Sequence, residues 1–278
     1  MRLFWFYLKY LKRLLLFYVN ANTIYDIHSP FVASFLQIVV YDRRRFYGFT
    51  DIELFRRILR KNRYRIHLTD YGAGSKANPS QWREIRDIVR HGAVSPTTGR
   101  YLFRTVLFQN PSNILELGTS LGISTLYLRM AGKASPFITL EGCPETAGEA
   151  RNNLLQMGYS DVKVVTGPFS ETLPLVLACF PRLDLLYLDG DHRAAASYGY
   201  FLQCLEKAAS GTIFIVADIH WSTEMEASWA RMRAHPRVRG SLDLFRLGFL
   251  FFDERLTHPV HADIVPWIVK PWRSGIFG

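Results

Sequence analysis

Cysteine is scarce in this chain. Cys143, Cys179 and Cys204 are too few and too scattered to build a disulfide framework or a zinc cluster. They read as reduced thiols, which implies a reducing, cytoplasmic setting. Long apolar runs are missing too. Lys9, Lys12 and Arg13 interrupt the first twenty residues before an apolar run reaches the roughly 18 that a spanning helix needs. No small-residue cleavage site follows, so a secretory signal is not expected. Negative charge is sparse at the front. Residues 1–110 carry 19 Lys and Arg against 7 Asp and Glu, whereas the remainder is nearly balanced. Global disorder is excluded by 49% hydrophobic and only 21% charged residues.

What is present begins with a helix. Residues 1–20 place Arg2, Lys9, Lys12 and Arg13 on one side, with Leu3, Phe4, Phe6, Tyr7, Leu11, Leu14, Leu15 and Phe17 around the rest. Docking on protein, either the chain's own domain or a second subunit in a homodimer, is the expected use of such a helix. Peripheral contact with a membrane is the alternative. The basic excess suits an anionic partner or a plain solvated face, but no nucleic-acid-binding module is apparent.

Residues 21–110 read as helical and irregular. Ser29-Pro30 starts a helix, Asp51–Leu59 is a second and Ser80–Val89 a third, with a short strand over Tyr64–Leu68. Pro96–Phe108 follows Ser95 as another helix. From residue 113 the pattern becomes regular. Strands at Asn113–Leu117, Phe137–Leu140, Val162–Val165, Leu183–Leu188 and Thr212–Ala217 alternate with helices, and Ser241–Phe252 closes as a hairpin. The helix before Thr212 runs through Ala209 in this reading. Such alternation predicts an α/β fold with a doubly wound, mostly parallel sheet, its strands buried on both faces. Three regions are expected: a basic helical segment over 1–94, the α/β domain over 95–255 and a tail over 256–278.

The most informative segment is Ile114-Leu-Glu-Leu-Gly-Thr-Ser-Leu-Gly-Ile-Ser-Thr125, at a strand-to-helix switch. Gly118 and Gly122 let backbone approach a ligand closely, and the amides opening the next helix face the same crevice. The second strand ends at Glu141, where an acid suits a ribose diol. A dinucleotide fingerprint wants a third spaced glycine, which is absent. Glu116, just before Gly118, would repel a pyrophosphate but can accept hydrogen bonds from an ammonium group. S-adenosylmethionine, with ribose and an α-amino acid but no phosphate, fits that pattern. An NAD-dependent oxidoreductase is the rival on the same fold, and a membrane-peripheral binding protein without turnover is the rival of another class.

With these residues the chain resembles the class I S-adenosylmethionine-dependent methyltransferases, in particular small-molecule O-methyltransferases of the catechol and caffeoyl-CoA type. The resemblance spans about residues 95–250. It rests on Ser95–Phe108, Leu115–Thr125, Leu140-Glu141, Gly167–Pro174, Leu188–His192 and Val216–Asp218. It implies a seven-stranded Rossmann-like sheet and methyl transfer to a small acceptor, most readily at oxygen. The implied cofactor contacts are Glu116, Gly118, Thr119, Ser120, Gly122, Ser124, Glu141, Gly142, Phe169 and Asp189. Catalytic candidates at the carboxyl ends of the central strands are Asp189, His192, Asp218 and His220, with a histidine as the base. Asp189 and Asp218 match two metal-ligand positions of the metal-dependent members. Ile219 stands where those members place an asparagine, so one ligand is missing and the expected divalent-ion requirement is weak or none. Asp70–Ser75, Asp-Tyr-Gly-Ala-Gly-Ser, also looks like a cofactor loop. No apolar helix or acid-ended strand follows it, so it reads as a turn or lid.

Overall fold

Alternate residues along the apolar strands enter two different cores, which is what places helices on both sides of the sheet. The computed structural model describes residues 2–69, 81–132, 136–191, 193–270 and 272. Strands β3 (Ile114–Leu117), β4 (Phe137–Glu141), β5 (Lys163–Thr166), β6 (Leu183–Leu188) and β7 (Ala208–Ala217) pair in parallel in the order β5-β4-β3-β6-β7. β9 (Leu247–Phe251) runs antiparallel beside β7, and β8 (Gly240–Asp243) antiparallel beside β9. β10 (Val260–Asp263) then adds in parallel to β8. Among the described residues the sheet thus has eight strands, not seven, because the segment after 255 contributes a strand to the edge.

One core gathers Ile114, Phe137, Leu185, Tyr187, Ile213 and Phe249, and the other Leu115, Ile138, Leu186, Leu188, Phe214 and Leu250. Helices α5 (Pro96–Gln109), α6 (Ile123–Ala131) and α7 (Pro144–Gln156) bury residues in the first. Helices α8 (Phe169–Leu177), α9 (Ala194–Leu205) and α10 (Thr223–Arg233) cover the second. Helices α2 (Pro30–Phe35), α3 (Tyr47–Leu59) and α4 (Ile85–Gly92) bury Val32, Phe35, Ile52, Phe55, Ile85 and Val89 in the first core as well. The boundary expected at residue 94 therefore marks no separate core.

Two local expectations are corrected. Trp82–Glu84 is a strand, β2, antiparallel to β1 (Arg65–His67), and the helix starts only at Ile85, whose N–H is taken by Tyr64 O. The helix before β7 ends at Leu205, not Ala209. The Leu183 N–H bonds Lys207 O and pairs this stretch with β6, so a sheet partner outcompetes the next helical turn.

Helix α1 (Arg2–Asn20) packs through Tyr10 and Phe17 against Phe245. Its expected docking on protein is thus met within the chain. Among the described residues no helix is long and apolar enough to cross a membrane.

Candidate active site

The turn after β3 is built by backbone conformations few residues accept. Gly118 has φ +105°, Ser120 +49° and Gly122 +84°. A Cβ on Gly118 would lie 2.4 Å from Asp189 O, so only glycine lets the β3 and β6 ends come this close. The Gly118 and Thr119 amides donate to Leu140 O, and Ser120 N donates to Glu141 Oε2 at 2.8 Å. Glu141 Oε1 accepts from Cys143 N at 3.0 Å, so the terminal acid of β4 is held from two sides.

A cavity of about 450 Å³ opens over these strand ends. Eight of the ten expected cofactor contacts line it: Gly118, Thr119, Ser120, Ser124, Glu141, Gly142, Phe169 and Asp189. Gly122 shapes the loop as the residue before α6, without lining the cavity.

Glu116 is a correction. It is fully buried and does not line the cavity. Ser124 Oγ donates to Oε1 at 2.6 Å, while Thr125 Oγ1 (2.6 Å) and Thr139 Oγ1 (2.8 Å) donate to Oε2. These hydroxyls take the place an ammonium group was expected to occupy. Burial drives its pKa up to about 7, against the lowering effect of the three hydroxyl donors. It bears on the cavity at one remove, through Ser124 and through the Thr139–Thr119 hydroxyl pair.

The second correction concerns His220. Its Nδ1 lies 2.8 Å from Glu226 Oε1 and its Nε2 2.9 Å from Asp243 Oδ2. A carboxylate at each ring nitrogen favours the imidazolium, which donates from both. Burial opposes that charge, but Asp243 and then Glu226 outweigh burial and the pKa is raised. Phe245 stacks on the ring at 4.9 Å, and His220 does not line the cavity. It is a structural latch, with no nitrogen available as a base. His192 and the Asp70–Ser75 loop lie outside the described residues.

Asp189 lines the cavity, and Tyr187 Oη donates to its Oδ2 at 2.6 Å. Asp218 has φ +52° and is not part of the lining. Ile219 is fully buried in the second core. The side chains at these positions do not fit a three-ligand divalent site.

The N-terminal region supplies a wall that sequence reasoning missed. Leu68, Thr69, Ile88, Ala93 and Val94 line the cavity. His67 N donates to Glu145 Oε2, and the buried Arg56 holds Val94 O through Nη1 at 2.6 Å. No local motif signals these contacts, because each is made across the tertiary fold. Asp191, already a strand-end candidate within the Leu188–His192 motif, lines the cavity as well, and Arg193 and Tyr200 are a second addition. Arg193 grips Asp191 through two bonds, and Tyr200 Oη donates to it at 3.0 Å.

Comparison with known proteins places this geometry. Residues 115–219 match the family model described as a methyltransferase domain. The catechol O-methyltransferase of Mycobacterium tuberculosis is 36% identical over 129 residues, covering 46% of this chain and 57% of that protein. That of Niastella koreensis is 36% identical over 45% of this chain and 57% of its own. The chain thus spans a little over half the length of these curated relatives. Among solved structures, an O-methyltransferase from Bacillus cereus in complex with SAH superposes with a TM-score of 0.53 at 20% identity, covering 79% of this chain and 96% of that one. The O-methyltransferase TomG from Streptomyces achromogenes, in complex with SAM, gives 0.54 at 15% identity over 79% and 94%. At these identities the superpositions speak for the fold.

Proposed function

We propose that this chain, whose residues 115–219 are a methyltransferase domain on the class I S-adenosylmethionine-dependent fold, moves a methyl group from S-adenosylmethionine to an oxygen of a small molecule. The observation that carries the reading is the cavity at the β3 and β4 ends, with Glu141 held at its rim by loop amides.

In this reading the Glu141 carboxylate takes the ribose diol. The Gly118–Ser120 backbone holds the amino-acid end, and the backbone around Phe169 and Ser170 borders the adenine. S-adenosylmethionine supplies an electrophilic methyl on a sulfonium. The acceptor oxygen attacks that carbon, the carbon–sulfur bond breaks, and its electron pair stays on sulfur. The acceptor's proton leaves to a side-chain base. Asp189 is the first candidate, since it lines the cavity and is oriented by Tyr187. His192 is the second, by its place in the sequence. The chain works in the cytoplasm as a small-molecule enzyme.

Calorimetry with S-adenosylhomocysteine and NADH tests the reading. S-adenosylhomocysteine should bind, and Glu141→Ala should weaken it by about 2–4 kcal/mol. Tighter binding of NADH would replace the reading with the oxidoreductase. A screen of small-molecule acceptors with labelled methyl donor then identifies the substrate.

A further inference from the structure

The docking of α1 leaves apolar side chains uncovered between Leu8 and Val19. Inward, Tyr10 and Phe17 each lie 5.3 Å from the Phe245 ring, and Phe17 lies 5.5 Å from His220. Arg13 donates to Thr223 Oγ1 at 2.7 Å and pairs with Glu226 at 3.3 Å. At the far end Lys270 Nζ grips Val19 O and Ala21 O, and Tyr18 Oη donates to Val269 O. From Tyr10 to Ala21 the helix is pinned, so which side of that stretch faces out is decided.

The outward side carries Leu8, Leu11, Leu15, Leu16 and Val19, each 45–68% exposed. At 100° per residue they fill an arc of roughly 140°. Ile268 and Val269, 60% and 45% exposed, continue the patch beside Tyr18. Lys12, also exposed, lies inside the arc. A contiguous apolar strip of this kind on a surface marks an interaction site.

Charge decides the partner. Residues 1–25 contain Arg2, Lys9, Lys12 and Arg13 and no acid; the first is Asp26. Residues 1–110 carry a net +12. The exposed Arg246 follows Phe245, the residue on which α1 sits. A second copy would bring Lys12 and its surroundings against the same positive patch, and lysine is depleted from the cores of protein interfaces. A lipid surface accepts the same pattern without conflict. The leucines enter the acyl boundary, and Lys12 lays its stem among them while its ammonium reaches the phosphates. We propose that the outward face of α1 seats this protein on an anionic bilayer surface, lying along it and not crossing it. His220, under α1, is in the loop after β7. The lipid-facing helix therefore stands on the same carboxyl-end rim of the sheet as the cavity.

Co-sedimentation of the full chain with phosphatidylcholine vesicles, with and without phosphatidylglycerol, tests this. Binding is expected only with phosphatidylglycerol and should weaken as salt rises. Lys12→Ala should lower the partition about five-fold. Leu11→Ser with Leu15→Ser should abolish binding while leaving the thermal melt of the protein unchanged, since both side chains point to solvent. If the double variant proves unfolded, Lys12→Ala alone decides, because it leaves the apolar packing intact. Failure of the wild type to bind anionic vesicles overturns the proposal, as does binding indifferent to lipid charge or to Lys12→Ala. Analytical ultracentrifugation showing a dimer that Leu15→Ser dissolves, without vesicle binding, would assign the face to a second copy.

Discussion

Tyr187 and Asp189, two residues apart on one strand end, are joined by a 2.6 Å bond from the phenol to a carboxylate oxygen. Tyr187 is fully buried, and burial followed by the charge of Asp189 pushes its own pKa well up, so it stays a donor. The phenol fixes the direction of the acid facing the cavity. Tyr187→Phe should lower kcat about tenfold or more, equal to roughly 1.4 kcal/mol, while S-adenosylhomocysteine affinity stays within a few-fold. Steady-state kinetics beside calorimetry separates the two. Equal losses in both would make Tyr187 a packing residue.

Gly118 allows the β3 turn to touch β6. Gly118→Ala puts a methyl 2.4 Å from Asp189 O at a φ of +105°. A loss of about 3 kcal/mol or more is expected in urea unfolding, together with loss of cofactor binding. Gly148 in the middle of α7 is the contrast, because nothing lies within 4 Å of its added Cβ. Gly148→Ala should stabilise by about 0.5–1 kcal/mol.

Glu116 makes stability fall with rising pH. Its folded pKa, about 7, lies above the ordinary 4.5, so the folded chain keeps a proton that the unfolded chain releases. Its contribution is therefore greatest below about pH 4.5 and declines through pH 7, by on the order of 3 kcal/mol. Glu116→Gln carries no charge and should flatten that decline. Unfolding curves of both proteins at pH 5 and pH 8 check this. A difference that does not change with pH would show that Glu116 does not titrate there.

His220 acts in a neighbouring window. Its folded pKa is raised, so its stabilisation is complete below about pH 6.5 and is lost as pH climbs through the folded value. The groups facing it are Glu226, Asp243, Phe17 and Phe245, with Arg13 on the far side of Glu226. His220→Gln should cost about 2–3 kcal/mol near pH 6 and less near pH 9, read by thermal melts. A constant deficit would point to packing with Phe245 alone. The same variant should leave the pH–rate profile of methyl transfer in place, because no ring nitrogen is available to the acceptor.

The alternation of short apolar strands with helices was legible along the chain because each strand must be buried on both faces, which leaves few polar positions in Leu183–Leu188 or Ile213–Val216. Gly118 and Glu141 were legible for a related reason. A turn that brings backbone against backbone tolerates only glycine, and an acid ending the next strand is conspicuous among apolar neighbours. Three things were decided in space. Ser124, Thr125 and Thr139 converge on Glu116 and turn an apparent ligand contact inward. Glu226 and Asp243 close on His220 from a helix and a strand and consume both nitrogens of an apparent base. Leu68, Ile88 and Val94 reach the cavity from positions that no binding motif marks. The sequence determines which groups exist and which local backbone they prefer. Whether a carboxylate or an imidazole faces a cavity or another side chain depends on partners tens of residues away, and only packing brings those partners together.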